Sequence, residues 1–346
     1  MVTISEVAKE AGVSVATVSR VLNHCGKVRP ETEQKVKEAV VKLQYTINMP
    51  ARNLRKNESG AILVLARNFT NPFYAKILEG ISDEANPAGY NILVSASDGN
   101  PKMGFQCIQM LEGRQVDGAI LLNCTEDDAV WLKPHIGKYP IVQCCDFVAA
   151  FDTPKVIVDH FRTGYEAVQY LVSLGHRRIA FMGAENKHSC TVQRLEGYKK
   201  AIKDFELDEE DALYISADAN YTFESGCRAV YPMLTGKNPP TAIFCVSDVL
   251  ALSCIFEAKE LGIRVPEEFS VVGCDDVEYA RMCHPFLSTF RLPCYEMGRE
   301  SARQLLRCIH RTPEEYVEII EDFSLQVRES TGMAGKDVAL AVSERT

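Results

Sequence analysis

Apolar side chains recur at helical spacing three times within the first 45 residues. Ile4, Val7, Ala8 and Ala11 fall at i, i+3, i+4 and i+7, one buried stripe of a helix, and Thr3 with Glu6 forms a T-x-x-E capping box at its start. Gly12 ends that helix. Ser14 can cap a second one in which Val18, Val21 and Leu22 face inward, turning Val15, Ala16, Ser19, Arg20 and Asn23 to other directions. A third pattern opens at Pro30, a favoured first-turn residue, and buries Val36, Ala39, Val40 and Leu43. Two short helices joined by a Gly-containing turn and packed on a third make a helix-turn-helix, whose second helix enters the major groove of DNA. A plain three-helix subdomain would share the pattern. The outer face of the second helix, small side chains plus one Arg, is what favours base edges.

Residues 46–60, TINMPARNLRKNESG, are polar and basic, with only Leu54 large and apolar after Pro50. Asn48 can cap a helix of one or two turns with Pro50 in its first turn, too short to be stable alone in water. From Ala61 onward strand-like apolar runs alternate with amphipathic stretches: 61–66, 91–95, 117–122, 141–145, 178–183, 241–246 and 270–274. This is the βαβ rhythm of parallel sheets. Seven or more strands over about 270 residues predict two similar doubly wound units, with ligand bound beyond the carboxyl ends of strands in a cleft between them.

Composition sharpens this outline. At 346 residues, 46 % hydrophobic, the chain is long enough for two or three globular units. Its net charge of −9 hides an asymmetry: residues 1–59 hold 10 Lys/Arg against 6 Glu and no Asp, a net +4, which leaves −13 for the remainder. A basic N-terminal module on an acidic body points to a polyanion partner for that module only. The first residues carry charges at Glu6, Lys9 and Glu10, and no run reaches the ~18 apolar residues of a membrane span, so a cytoplasmic location without membrane contact is expected. The thirteen cysteines are scattered, with no CxxC pair and no histidine cluster at zinc spacing, and read as reduced core thiols, Cys144-Cys145 included. Neither GxGxxG after a strand, GxxxxGK[ST], HExxH nor a nucleophile elbow is present, so no catalytic residue, cofactor or metal is expected.

Three passages, VSVATVSRVLN at 13–23, ARNLRKNES at 51–59 and TAIFCVSDVLALS…LGIRVPEEFSVVGCDD from Thr241, together resemble the lactose/galactose repressor (LacI/GalR) family, from Thr3 to about Gly332. Within it, RNLRKNES, TFESG, VSDVLALS and YEMGRE look most like the cytidine-responsive repressor branch. The resemblance implies an all-α helix-turn-helix headpiece followed by a periplasmic-binding-protein-like α/β core of two doubly wound parallel-sheet subdomains. The boundaries it implies are 1–46 for the headpiece, 47–60 for a hinge helix, 61–332 for the core and 333–346 for a tail. The core divides into an N-subdomain at about 61–158 and 291–322 and a C-subdomain at about 159–290 and 323–332.

The resemblance further implies a homodimer whose headpieces each read half of a palindromic operator. Val15, Ala16 and Arg20 would contact base edges, and Thr17, Ser19 and Asn23 phosphate or sugar, with Thr3, Ser14 and Arg29 in the same DNA-facing set. Arg29 stands where the family usually has a capping serine and can add a phosphate contact. Leu54 would wedge into a central base step from the minor groove, with Ala51 and Arg52 alongside. The family's effector pocket maps onto Phe73, Asp146, Arg194, Tyr221, Ser247 and Asp275, with Asp98 a weaker candidate because Asp-Gly is also a turn signal. An aromatic floor with Asp and Arg hydrogen-bonding groups suits a polar, neutral ligand, a nucleoside or a sugar. Phe147, Ser247 and Leu292 replace the Arg, Asn and Gln frequent in sugar-responsive members, which leans the expectation toward a nucleoside. The alternatives are an activator of the same fold and a solute-binding protein, against which the N-terminal headpiece decides.

Overall fold

The computed structural model describes residues 2–22, 28–45, 58–69, 71–186, 188–207, 214–311 and 318–335. Asn23, the hinge segment with Ala51, Arg52 and Leu54, and most of the expected tail lie outside the described residues. The chain divides into two compact units, residues 1–59 and 60–346.

In the first unit, α1 (Ile4–Ala11) starts at Thr3, whose hydroxyl accepts from the Glu6 N–H while the Glu6 carboxylate accepts from the Thr3 N–H at 2.7 Å. It stops at Gly12, whose φ of 65° only glycine adopts without strain. α2 (Val15–Leu22) is capped by Ser14, which accepts from the Thr17 N–H at 3.1 Å. α3 (Pro30–Lys42) begins with proline in its first turn, and Arg29 makes no side-chain cap. The three helices close over Val7, Ala8, Ala11, Val18, Val21, Val36 and Ala39.

The second unit holds two six-stranded sheets. The first is built from β1 (Ala61–Ala66), β2 (Asn91–Ala96), β3 (Gly118–Leu122), β4 (Ile141–Cys144), β5 (Lys155–Val158) and β11 (Glu318–Glu321), in spatial order 2-1-3-4-5-11, all parallel. The second is built from β6 (Ile179–Ala184), β7 (Tyr214–Ala217), β8 (Ala242–Cys245), β9 (Ser270–Asp275), β10 (Ser288–Arg291) and β12 (Ser324–Gln326), in order 7-6-8-9-10-12, with β12 antiparallel to β10. The same 2-1-3-4-5 winding therefore occurs twice. The chain passes between the sheets after β5, after β10 and after β11, so each subdomain is discontinuous in sequence.

The central strands are hydrophobic throughout because both faces are covered: every residue of β1, β3 and β6 is buried. Helices cover the first sheet as α4 (Phe73–Ala85), α5 (Pro101–Glu112), the single-turn α6 (Ala129–Leu132) and α11 (Cys294–Ile309), the last arriving from far along the chain. The second sheet carries α7 (His160–Ser173), α8 (Ser189–Asp204), α9 (Phe223–Leu234) and α10 (Asp248–Glu260). In each subdomain one helix pair meets backbone to backbone at glycines. A Cβ on Gly80 would lie 2.1 Å from the Tyr295 carbonyl oxygen, one on Gly298 2.1 Å from that of Ile77, and one on Gly164 2.1 Å from that of Arg194. Every described cysteine is a free thiol, and among the described residues no helix is long and apolar enough to cross a membrane.

Candidate functional site

On the first unit α2 buries Val18 and Val21 and leaves Val15, Ala16 and Arg20 exposed. Thr17 and Ser19 are half-buried; Ser14 and Arg29 are exposed. The Ser14 hydroxyl, 2.9 Å from the Thr17 hydroxyl, is engaged in capping, and Thr3 is engaged with Glu6. The outward side of α2 is thus short and neutral apart from one guanidinium, and a helix of that profile can approach a surface closely.

In the second unit the carboxyl ends of the two sheets face one narrow recess. From the first subdomain come Phe73 at the start of α4, Asn123 after β3, and Cys145-Asp146 after β4. From the second come His160 opening α7, Cys190 and Arg194 in α8, Tyr221 before α9, Ser247 before α10, and Asp275 ending β9. Among the described residues, four of the ten non-glycine residues with positive φ line this recess: Asn123, Cys145, Tyr221 and Asp275. Backbone strain of this kind is held in place by surrounding structure and concentrates at ligand sites.

Phe73, Asp146, Arg194, Tyr221, Ser247 and Asp275 are thus brought together, while Asp98 is not. Asp98 sits exposed after β2 with φ of 46°, its N–H on the Arg67 carbonyl, so the Asp-Gly turn chemistry prevails.

Asp146 also departs from the expectation of a ligand-facing carboxylate. It is completely buried, and its Oδ1 accepts from the Ser189 hydroxyl and the Cys190 N–H, both at 2.7 Å. Its Oδ2 accepts from Asn123 Nδ2 at 2.8 Å, and His188 Nδ1 lies 3.0 Å away, off the angle of a good hydrogen bond. Burial alone would raise its pKa; the adjacent His188 imidazole and the Ser189 hydroxyl outweigh it and hold the carboxyl well below the ordinary carboxylate range. Asp146 therefore straps the first subdomain to the N-terminal turn of α8 in the second.

Arg194 is buried on the other wall, donating through Nη1 to the Val246 carbonyl at 2.5 Å and through Nη2 to His160 Nδ1 at 3.2 Å. The Ser247 hydroxyl accepts from the Leu250 N–H at 3.4 Å as the cap of α10, and the Tyr221 hydroxyl is 2.7 Å from that of Thr191. Burial and the neighbouring Asp248 push the Asp275 carboxyl well up. Asp276 points elsewhere, into Arg328, Arg291 and Arg281, and anchors its loop. Of six buried side-chain atoms without a hydrogen-bond partner among the described residues, three line the recess: Asn123 Oδ1, His160 Nε2 and Arg194 Nε. Unsatisfied buried polar atoms cost about 1–3 kcal/mol each, so their convergence marks where a polar molecule belongs.

Asn123 and His160 were not singled out in the sequence. The available signal was a polar residue one or two positions beyond a buried strand, the place where ligands bind in such sheets. His176 is buried in the second subdomain, its Nδ1 2.9 Å from the Thr241 hydroxyl and its Nε2 3.1 Å from both the Ser270 hydroxyl and the Gly332 carbonyl.

Residues 3–48 match the family of bacterial regulatory proteins of the lacI type, and residues 168–331 match the periplasmic binding protein-like domain. The chain is 33 % identical over 333 residues to Catabolite control protein A of Priestia megaterium, covering 95 % of this chain and 99 % of that one. It is 34 % identical over 304 residues to the HTH-type transcriptional repressor CytR of Escherichia coli, covering 88 % and 89 %. Its structure is similar to that of the lac repressor dimer bound to operator and the anti-inducer ONPF, with a TM-score of 0.86, 26 % identity, and 96 % and 99 % of the two chains covered. A helix-turn-helix unit joined to a two-sheet ligand-binding core, alike in both parts to these regulators over nearly the whole chain, belongs to the LacI family of DNA-binding transcriptional regulators.

Proposed function

We propose that this regulator is a homodimeric repressor that reads a palindromic operator through α2 and takes a neutral, polar effector, a nucleoside or a sugar, in the recess between its two sheets. The observation that carries the effector half is the convergence of unpartnered buried polar atoms on an aromatic-walled recess at the carboxyl ends of both sheets. Val15, Ala16 and Arg20 read base edges, while Thr17, Ser19, Asn23 and Arg29 contact the backbone of the duplex. The hinge segment then folds on DNA, with Leu54 as wedge and Ala51 and Arg52 beside it.

A second copy is supported by apolar side chains left in solvent. Leu93 and Val94 on the edge strand β2 and Phe105 on α5 are all more than 40 % exposed, as are Tyr231 on α9 and Phe256 on α10. Edge strands and apolar patches of this kind are ordinarily covered by a partner.

The test is selection of duplexes from a randomised pool by the purified full-length chain, followed by thermal shift with cytidine, adenosine, D-ribose and D-glucose. A palindromic consensus and a raised melting temperature with at least one compound are expected. Enrichment of no palindrome would overturn the operator half, and no stabilisation by any compound the effector half.

A further inference from the structure

Resting on the effector reading just given, the hydrogen-bond pattern of the recess says which polarity each wall offers. Arg194 has only donors, so His160 Nδ1, 3.2 Å from its Nη2, is the acceptor of that contact and the imidazole proton resides on Nε2. His160 is 3 % exposed, and its Nε2 has no hydrogen-bond partner, although the Cys145 carbonyl stands near the ring. Arg194, also 3 % exposed, leaves Nε–H unpartnered on the same wall. Across the recess Asn123 commits its Nδ2 to Asp146, which fixes its unpartnered Oδ1 as an acceptor. The unpartnered groups at the His160–Arg194 corner are donors, and the one on Asn123 is an acceptor.

We propose that His160 is a specificity-determining residue of the effector site, held by Arg194 as the Nε2–H tautomer so that it donates to a lone pair on the effector. A molecule filling the recess presents an oxygen or ring nitrogen lone pair toward His160 and Arg194, and a hydroxyl or amino hydrogen toward Asn123. A cation directed at the first corner meets the Arg194 charge. An anion with acceptors alone leaves Asn123 unsatisfied. Neutral nucleosides and sugars carry both kinds of group. Burial and the Arg194 charge, partly offset by Asp146, lower the His160 pKa to about 3, so the ring stays uncharged through the physiological range.

The variant that separates this role from a merely structural one is His160→Asn. Its side-chain oxygen can replace Nδ1 as the acceptor for Arg194, while nothing reaches the place of Nε2. His160→Gln, longer, can return an N–H there. In thermal-shift titrations of the full-length chain with cytidine, adenosine, D-ribose and D-glucose, the compounds that stabilise the wild type should bind His160→Asn about ten-fold more weakly. His160→Gln should recover part of that loss. Glucosamine, protonated at neutral pH, should bind the wild type more weakly than D-glucose.

Independently of any ligand, the ¹⁵N shifts of histidine-labelled wild type should show His160 as the neutral Nε2–H tautomer. An Nδ1–H tautomer or an imidazolium at neutral pH overturns the proposal even if no variant folds. Undiminished affinity in His160→Asn overturns it while leaving the effector reading standing. Failure of every neutral compound to stabilise the wild type overturns the effector reading and this proposal with it.

Discussion

Arg20 is the single charged group on the exposed side of α2, so the proposed docking of α2 assigns it the largest share of base discrimination. A bidentate Arg–guanine contact is worth about 1–3 kcal/mol against the wrong base. Arg20→Ala should weaken operator binding by that amount and flatten the preference at one base pair of each half-site, read by fluorescence anisotropy on duplexes varied one position at a time. Unchanged discrimination would remove Arg20 from the reading set.

Asp248 lends itself to a different test. It is fully buried at the start of α10, accepting from the Val277 N–H and the Thr289 hydroxyl, and burial raises its pKa to about 7. The native state then holds a proton that the unfolded chain releases near the ordinary carboxylate pKa. The stability this contributes is complete below the unfolded value and is lost as pH rises through about 7. Asp248→Asn, which cannot ionise, should therefore gain melting temperature relative to the wild type as pH rises from about 4 to about 7, with no further gain above. A constant difference across that range would show that Asp248 does not titrate there. Neither Asp248 nor the strap made by Asp146 was legible in the sequence, because both depend on which backbone N–H groups a distant segment supplies. Arg20 was legible, since local helical spacing alone turns it outward.

At the scale of elements, the long buried strands and the three N-terminal helices followed from periodicity. The short strands did not. β10 reads Ser-Thr-Phe-Arg, yet Ser288 and Thr289 are fully buried because Ser330 accepts from the Ser288 N–H and Asp248 accepts from the Thr289 hydroxyl. β7 is an edge strand of four residues with Tyr214 exposed, too short for alternation to register. The helix crossings were equally hidden, since a glycine inside a helical pattern gives no sign of what approaches it. At the α7–α8 crossing a Cβ on Gly164 would lie 2.1 Å from the Arg194 carbonyl oxygen, and backbone cannot swing aside as a side-chain tip does. Gly164→Ala should cost about 1–3 kcal/mol in denaturant unfolding. It should also weaken effector binding, because the crossing sets the separation of His160 on α7 from Arg194 on α8. Gly236→Ala, whose Cβ would meet nothing nearer than 3.4 Å, is the matched control and should stay within about 0.5 kcal/mol of wild type. Equal costs at the two glycines would argue against the close crossing.

For the molecule as a whole, the alternation of strands and helices gave two doubly wound units, while the interleaving of the subdomains came from the resemblance rather than from any local pattern. The consequence of that interleaving is mechanical: three chain crossings and the Asp146 strap join the subdomains, and the proposed regulation requires that occupancy of the recess bias their relative position. If effector occupancy alters operator affinity by some factor, operator must alter effector affinity by the same factor, because the four binding free energies close a cycle. Couplings of this kind typically amount to roughly 5–150-fold. Titrating whichever of cytidine, adenosine, D-ribose or D-glucose stabilises the free protein, with and without a saturating selected operator duplex, should give two dissociation constants whose ratio matches the ratio of operator affinities. For an inducer the duplex weakens the compound; for a corepressor it tightens it. Equal dissociation constants in the two titrations would mean that the compound occupies the recess without moving the equilibrium that DNA reads.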